Sequence, residues 1–322
     1  MPDPSRGGTG AGPARPPGPL TVAWISVAPV KGMALVPLPS VTLGPGGAAE
    51  NRRFYVVDAG GRLVNGKRMG RLARVVPSWD PASGRLALAF PGGEEAGGVA
   101  GGVAAGVVDG VDGVVEVGEP VTTVFFGRPV AGRMVVGPWS EALSAWAGAA
   151  LRLVRCEEPG AGVDRGARAA VTLVSTGSLE RLGEVLASRD GGAVGGRVAW
   201  EGRGGAGRAG EGLDPRRFRM LLGVAGAAAH EEDSWLGRPV RLGRAVVRPA
   251  GNVGRCLVTS QDPGTGEPDL DTLGALRSYR PGDTSEPMAF GVWGEVVEPG
   301  VVAVGDGVAV GDGVSVGGPV GA

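Results

Sequence analysis

The chain predicts a mainly β fold with a few short helices (α+β), arranged as an N-terminal β-barrel followed by a second β-barrel unit. Three observations predict it. Short β-branched and aromatic runs recur at close spacing, Gly, Pro, Asn and Asp turns separate them, and only three stretches show helical periodicity.

The chain begins with a Pro/Gly-rich leader, residues 1–19. It has no apolar core of the kind a secretion signal needs and reads as disordered. Strands are expected at "TVAWISV" (21–27), "RRFYVVD" (52–58), "RLARVVP" (71–77) and "GRLALAF" (84–90), with a turn at "DAGGR" (58–62). Residues 91–118, rich in Gly and Val, read as a loop insertion with at most ragged strand pairing. In "PWSEALSAWAGAALRLV" (138–154), Ser140 is a candidate N-cap, Leu143, Trp146, Ala147 and Ala150 share a helical face, and "LRLVR" is a strand. A second helix is expected in "STGSLERLGEVLAS" (175–188), through Leu179, Leu182 and Leu186.

Residues 189–212 read as a Gly/Arg-rich loop, residues 234–251 as two strand pieces, and "RCLVTSQ" (255–261) as a strand. "DLDTLGALRSYR" (269–280) is a short helix stopped by Pro281, with Leu270, Leu273 and Leu276 inward. Strands at 289–300 and 302–314 end the fold. The expected organisation is a first barrel over 20–130, a connecting helix and strand over 131–168, a second barrel over 169–314 and a tail at 315–322.

Composition narrows the function. The net charge of -1 gives no field for nucleic acid or an anionic membrane. No apolar run is long enough to span a bilayer, and two distant cysteines make no disulfide framework. A soluble, cytoplasmic protein is expected. With a single histidine, His230, a zinc site built from His and Cys is improbable.

Four places could carry chemistry. Cys256 stands beside Arg255 at the head of an apolar run. It is open between a small buried hydrophobe and a soft thiolate ligand for a sulfur-loving metal. In a strand the side chain of Arg255 would point to the face opposite Cys256. Lys31, before Gly32, stands on a loop where backbone can approach an anion. Arg52 and Arg53 head a strand, and "DPRRFRM" (214–220) repeats the pattern with Arg216, Arg217 and Arg219. Such guanidiniums suit phosphate, or are simply solvated. Asp262 reads as a turn former, His230, Glu231 and Glu232 as a loop cover, and Cys156 as structural.

"VAWISVAPVKGMAL…NRRFYVVDAGGRLVNGKRMGRLARVVP" resembles the N-terminal β-barrel that precedes MOSC domains. "VTLVSTGSLERL", "EDSWLGRPVRLG", "RCLVTSQDPGTGEPDLDTLGALRSYR" and "FGVWGEVVEPG" resemble the MOSC domain itself, as in YcbX-like proteins and the mitochondrial amidoxime-reducing component. The likeness covers roughly 20–90 and 138–312. It implies two successive β-barrels and the molybdenum cofactor (Mo-molybdopterin), with Cys256 as the protein ligand to the metal. It implies that Lys31, Gly32, Arg53, Thr176, Gly177, Ser178, Arg219 and Arg255 contact the cofactor. The family is also associated with pyridoxal phosphate binding.

The implied reaction is two-electron reduction of an N-hydroxylated or N-oxidised small molecule. Its electrons would come from a separate flavin or iron–sulfur reductase, because the chain has no dinucleotide fingerprint and no cysteine after Cys256. The chain departs from the family at Met220-Leu221, where relatives carry Pro-Asn, and one polar cofactor contact is then missing or supplied elsewhere. Two rivals follow: a cofactor carrier or sulfur-transfer protein, and a degenerate, cofactor-free binding module.

Overall fold

The computed structural model describes residues 18–92, 107–157, 169–189, 212–280, 282, 284–311 and 314. The leader to residue 17, the 93–106 part of the insertion, the 158–168 part of the connection, the 190–211 loop and the 315–322 tail lie outside the described residues.

The fold is mostly β. Strands β1 (Thr21–Val27), β2 (Val36–Leu38), β3 (Ser40–Gly44) and β4 (Gly47–Ala48) come first, followed by β5 (Phe54–Asp58) and β6 (Leu63–Val64). Next are β7 (Val76–Asp80), β8 (Arg85–Pro91), β9 (Val107–Val114), β10 (Glu116–Phe125) and β11 (Arg128–Val136). Helix α1 (Trp139–Ala147) leads to β12 (Leu151–Cys156), β13 (Val171–Ser175) and helix α2 (Thr176–Arg189). The rest comprises β14 (Leu222–Ala225), β15 (Val240–Leu242), β16 (Ala245–Gly254), helix α3 (Thr272–Tyr279), β17 (Ala289–Glu298), β18 (Gly300–Ala303) and β19 (Val308–Val310).

Hydrogen bonding does not follow chain order. β1 and β2 are the last two strands of an eight-stranded sheet, β19-β15-β16-β17-β13-β14-β1-β2. β1 pairs antiparallel with β14, Ile25 opposite Leu222, and β3 pairs with β18. Residues 21–48 therefore close the sheets of the C-terminal half, over a core of Val22, Ile25, Leu43, Leu173, Trp235 and Val292. A five-stranded sheet, β10-β11-β12-β5-β6, and a three-stranded sheet, β7-β8-β9, form the other unit. Between them Phe54 and Trp79 meet edge to face at 4.9 Å, with Leu86, Leu88 and Trp139 around them. Each such side chain fully withdrawn from water contributes about 1.5–3 kcal/mol.

Five expectations need correction. Residues 107–118 are not loop: β9 pairs with β8 through Val111 opposite Leu88, and β10 begins at Glu116. The Val residues alternate with Gly and Asp closely enough to put Val111 and Val115 on the apolar core. Residues 70–74 form a 3₁₀ turn rather than a strand, which places Leu72 and Val75, three apart, in the core. Ser140 does not cap α1: Pro138 holds that position, and the Ser140 hydroxyl accepts from the Leu153 amide at 3.1 Å.

In α3, Leu276 is buried and Leu270 packs against the same core as expected, but Leu273 is only half-buried and Thr272 and Ala275 complete the buried face. Lastly, the strand expected at 255–261 ends early. β16 stops at Gly254, and Leu257–Ser260 is a 3₁₀ turn. The Thr259 amide and hydroxyl both donate to the Cys256 carbonyl at 3.0 Å, and the Thr259 and Ser260 hydroxyls meet Thr272 at 2.7 and 2.9 Å. Local Ser/Thr bonding of this kind competes directly with a sheet ladder.

Candidate functional site

The loop after β1 is laced to the chain ahead of β5. Asn51 Oδ1 accepts from the Ala28 amide at 2.9 Å, the Arg52 amide donates to Ala28 O at 2.8 Å, and the Lys31 amide donates to Phe54 O at 2.8 Å. Val30, fully buried, anchors this loop. Its neighbour Lys31 is then left on the wall of a cavity of about 430 Å³, along with Gly32.

Arg52 has φ +54, a left-handed backbone that costs a non-glycine residue roughly 1–2 kcal/mol. Its side chain lines the cavity, while Arg53 lies outside it, in a separate cleft beside Arg155 and Cys156. The sequence resemblance pointed to Arg53; of the two arginines it is Arg52 that lines this cavity.

The opposite wall comes from the C-terminal half. A 3₁₀ turn, Pro215–Phe218, starts at Asp214, whose carboxylate accepts from the Arg216 amide and guanidinium. It ends at Arg219, φ +53, whose guanidinium donates to Met33 O at 2.7 Å. Burial lowers the Arg219 pKa to about 10, so it stays charged at neutral pH. Arg217 forms a two-pronged pair with Asp269 and donates to Gln261 O at 2.8 Å, which clamps this turn to the segment after Cys256. Cys256 itself is partly exposed and lines the cavity, two residues past the end of β16.

Six cations line the cavity: Lys31, Arg52, Lys67, Arg217, Arg219 and Arg255. No carboxylate is among the described lining residues. Arg217 and Arg255 are tied into the cavity wall. Arg217 is neutralised by Asp269, and Arg255 turns its guanidinium onto the Phe218 and Phe290 carbonyls and over both rings. Arg255 thus braces the wall instead of presenting its charge. Lys31, Arg52, Lys67 and Arg219 add further positively charged side chains to the lining. At the rim, Phe126 is 71% exposed and 5.5 Å from Lys31 Nζ. Phe126 and Gly127 form the tip of the β10–β11 hairpin with φ +49 and +84, the primed-turn geometry of a two-residue loop.

The structure does not bring Thr176, Gly177 and Ser178 to this cavity. Gly177 packs its α-carbon against the backbone of Ala227–Ala229. Ser178 is fully buried: it donates to Glu232 Oε1 at 2.7 Å and accepts from the His230 amide at 2.8 Å. Half-buried His230 and fully buried Glu232 therefore form a polar cluster with Ser178 rather than a loop cover. Asp262 shapes its turn by accepting from the Gly264 and Thr265 amides. Met220 and Leu221 are core residues; Met220 also lines the cavity. Sequence reasoning did not single out Asn51, Lys67, Phe126 or Gln261; only the tertiary fold brings them to one cavity.

A soft metal fits this donor set in one way. Among the described residues no three His, Cys, Asp or Glu side chains converge as metal ligands, so the cavity offers one sulfur in a cationic basin.

Comparison with known proteins gives two family matches. The model of the MOSC domain matches residues 161–309, and that of the MOSC N-terminal beta barrel domain matches residues 20–101. Among solved structures, the YUAD protein from Bacillus subtilis is similar at 11% identity and TM-score 0.35, covering 90% of this chain and 94% of its own. YiiM from Geobacillus stearothermophilus is similar at 14% identity and TM-score 0.30, covering 62% and 73%. No curated protein matches the chain.

Proposed function

Because the chain belongs to the MOSC family, with the family's N-terminal β-barrel domain ahead of the MOSC domain, we propose that its Cys256 cavity holds the molybdenum cofactor. We further propose that the loaded protein reduces N-hydroxylated or N-oxidised small molecules, with electrons from a separate reductase. MOSC domains are molybdenum-cofactor-binding domains. One observation carries the reading: a partly exposed thiol opens into a cavity of about 430 Å³ that, among the described residues, is lined by cations and no carboxylate.

When bound, the cofactor supplies a two-electron centre able to accept an oxygen from an N–O bond. Cys256 would give the protein's sulfur ligand. Lys31, Arg52, Lys67 and Arg219 would hold the anionic portion through charge-assisted hydrogen bonds, each worth roughly 1.5–3 kcal/mol. Phe218, Met220, Val258 and Phe126 give an apolar side against which a small organic substrate can exclude water.

The test is the molybdenum-to-protein ratio after expression in a host that makes the cofactor, for wild type and Cys256→Ser, followed by turnover of a model amidoxime with an artificial donor. Metal and pterin in the wild type, metal lost from the variant, and turnover only by the wild type are expected. Wild-type protein free of both metal and pterin would sink the reading. Full loading without turnover would instead favour a cofactor carrier.

A further inference from the structure

We propose that Phe126 sorts substrates at the Cys256 cavity. Its ring is a stacking face for the flat, conjugated part of a molecule that carries an N–O bond, so aryl substrates bind ahead of alkyl ones. The inference rests on the reading of this cavity as the site of N–O reduction and adds the class of substrate it takes. Phe126 and Gly127 are the two loop residues of the β10–β11 hairpin, bounded by Phe125 opposite Arg128. Their φ values of +49 and +84 are those of a type I′ turn, whose favoured first residue is Asn, Asp or Gly. A bulky side chain at positive φ is a genuine outlier. The ring is also 71% exposed, so it serves no core.

The hairpin packs without this ring. Its neighbour Phe125 is buried and meets Tyr55 edge to face at 4.9 Å. Phe126 instead lines the cavity that Cys256 lines. Lys31 Nζ lies 5.5 Å from the centre of the Phe126 ring and 5.9 Å from that of Phe125, within cation–π range of both, which ties the hairpin tip to the cavity wall. Backbone held in a sparsely populated region is characteristic of positions that present a group to a ligand. A phenyl ring has no hydrogen bond to offer. It recognises another π-face by offset or edge-on stacking. At the rim it meets an arriving substrate, whereas the anionic part of the cofactor is matched by the cations of the lining.

The experiment is calorimetric titration of the full chain, expressed in a host that makes the cofactor, with benzamidoxime and with acetamidoxime, which differ in the ring. Molybdenum and pterin are measured on the same samples of wild type, Phe126→Asn and Phe126→Trp. Asparagine tolerates the left-handed backbone and completes an Asn-Gly turn, so Phe126→Asn keeps the hairpin and should unfold at higher urea than wild type. That variant should load like wild type, bind benzamidoxime about tenfold more weakly and change acetamidoxime binding by less than about twofold, while Phe126→Trp keeps benzamidoxime binding. Benzamidoxime binding unchanged in Phe126→Asn, an equal loss for both probes, or no binding of either probe by wild type would overturn the proposal. Metal and pterin lost from Phe126→Asn alone would also overturn it, by placing the ring against the cofactor. Wild type free of metal and pterin would sink the cofactor reading; benzamidoxime binding that still depended on Phe126 would leave the stacking face standing.

Discussion

The Arg52 guanidinium donates to the backbone carbonyl of Arg219 at 3.2 Å, joining two walls of the cavity that lie 167 residues apart in sequence. Arg52 thus supplies both a cation and a strut. Arg52→Ala should lower retention of the proposed cofactor about tenfold or more, through loss of one charge-assisted contact. The left-handed backbone separates the two roles. Arg52→Gly loses the same side chain but relieves the strain, so it should unfold at higher urea than Arg52→Ala, by about 1 kcal/mol. Equal stabilities would show that position 52 carries no strain.

The Arg217–Asp269 pair fixes the chain that follows Cys256. Breaking a fully buried pair costs about 3–5 kcal/mol; here Arg217 is 6% exposed but Asp269 38%, which places Asp269→Asn nearer about 2 kcal/mol. Urea denaturation should show this loss. Metal retention should fall as well, because Arg217 also holds the Gln261 carbonyl beside the cavity. A variant with native stability would show the clamp to be dispensable.

Gly177 tests the packing at the start of α2. In an open helix Gly→Ala stabilises by about 1 kcal/mol. Here the added carbon would lie 2.6 Å from Ala227 O and 2.9 Å from Ala228 C, both rigid backbone, and such overpacking costs about 1–3 kcal/mol. Gly177→Ala should therefore destabilise, with cofactor retention per folded molecule unchanged. A stability gain would mean that the helix start is not tightly docked.

The legible parts of the fold were those in which one periodicity governs. β1 is the expected 21–27, and α2 carries Leu179, Leu182 and Leu186 inward as spaced. Where side chains bond their own backbone, as Thr259 does to Cys256, the propensity of "CLVTS" for a strand misleads. Arg52 was indistinguishable from Arg53, because nothing in the sequence announces a left-handed arginine. Cys256 and Lys31 stood out by residue type and loop context. Lys67, Phe126 and Gln261 did not, since each reaches the cavity only through the docking of one sheet on another.

The cluster of Ser178, His230 and Glu232 should set the pH range of stability. Burial raises the Glu232 carboxyl pKa, only partly offset by the hydrogen bond from Ser178. The native state therefore holds this proton more tightly than the unfolded chain. Its contribution is complete below the ordinary value of 4.5 and is lost as pH rises through the elevated one. His230 acts in the other direction. Burial first, then Arg280 and Arg181, lower it from 6.5 to about 4, so its neutral form is favoured, and its contribution is present above 6.5 and lost as pH falls toward 4. Stability should peak between these limits. Glu232→Gln mimics the protonated acid and should flatten the alkaline side of the profile. His230→Asn, with a side chain that tolerates the φ of +60, should flatten the acid side. Urea midpoints at about pH 5 and about pH 8 measure both slopes. If Glu232→Gln leaves the alkaline slope unchanged, the carboxyl is ionised in the native protein and the cluster does not control it.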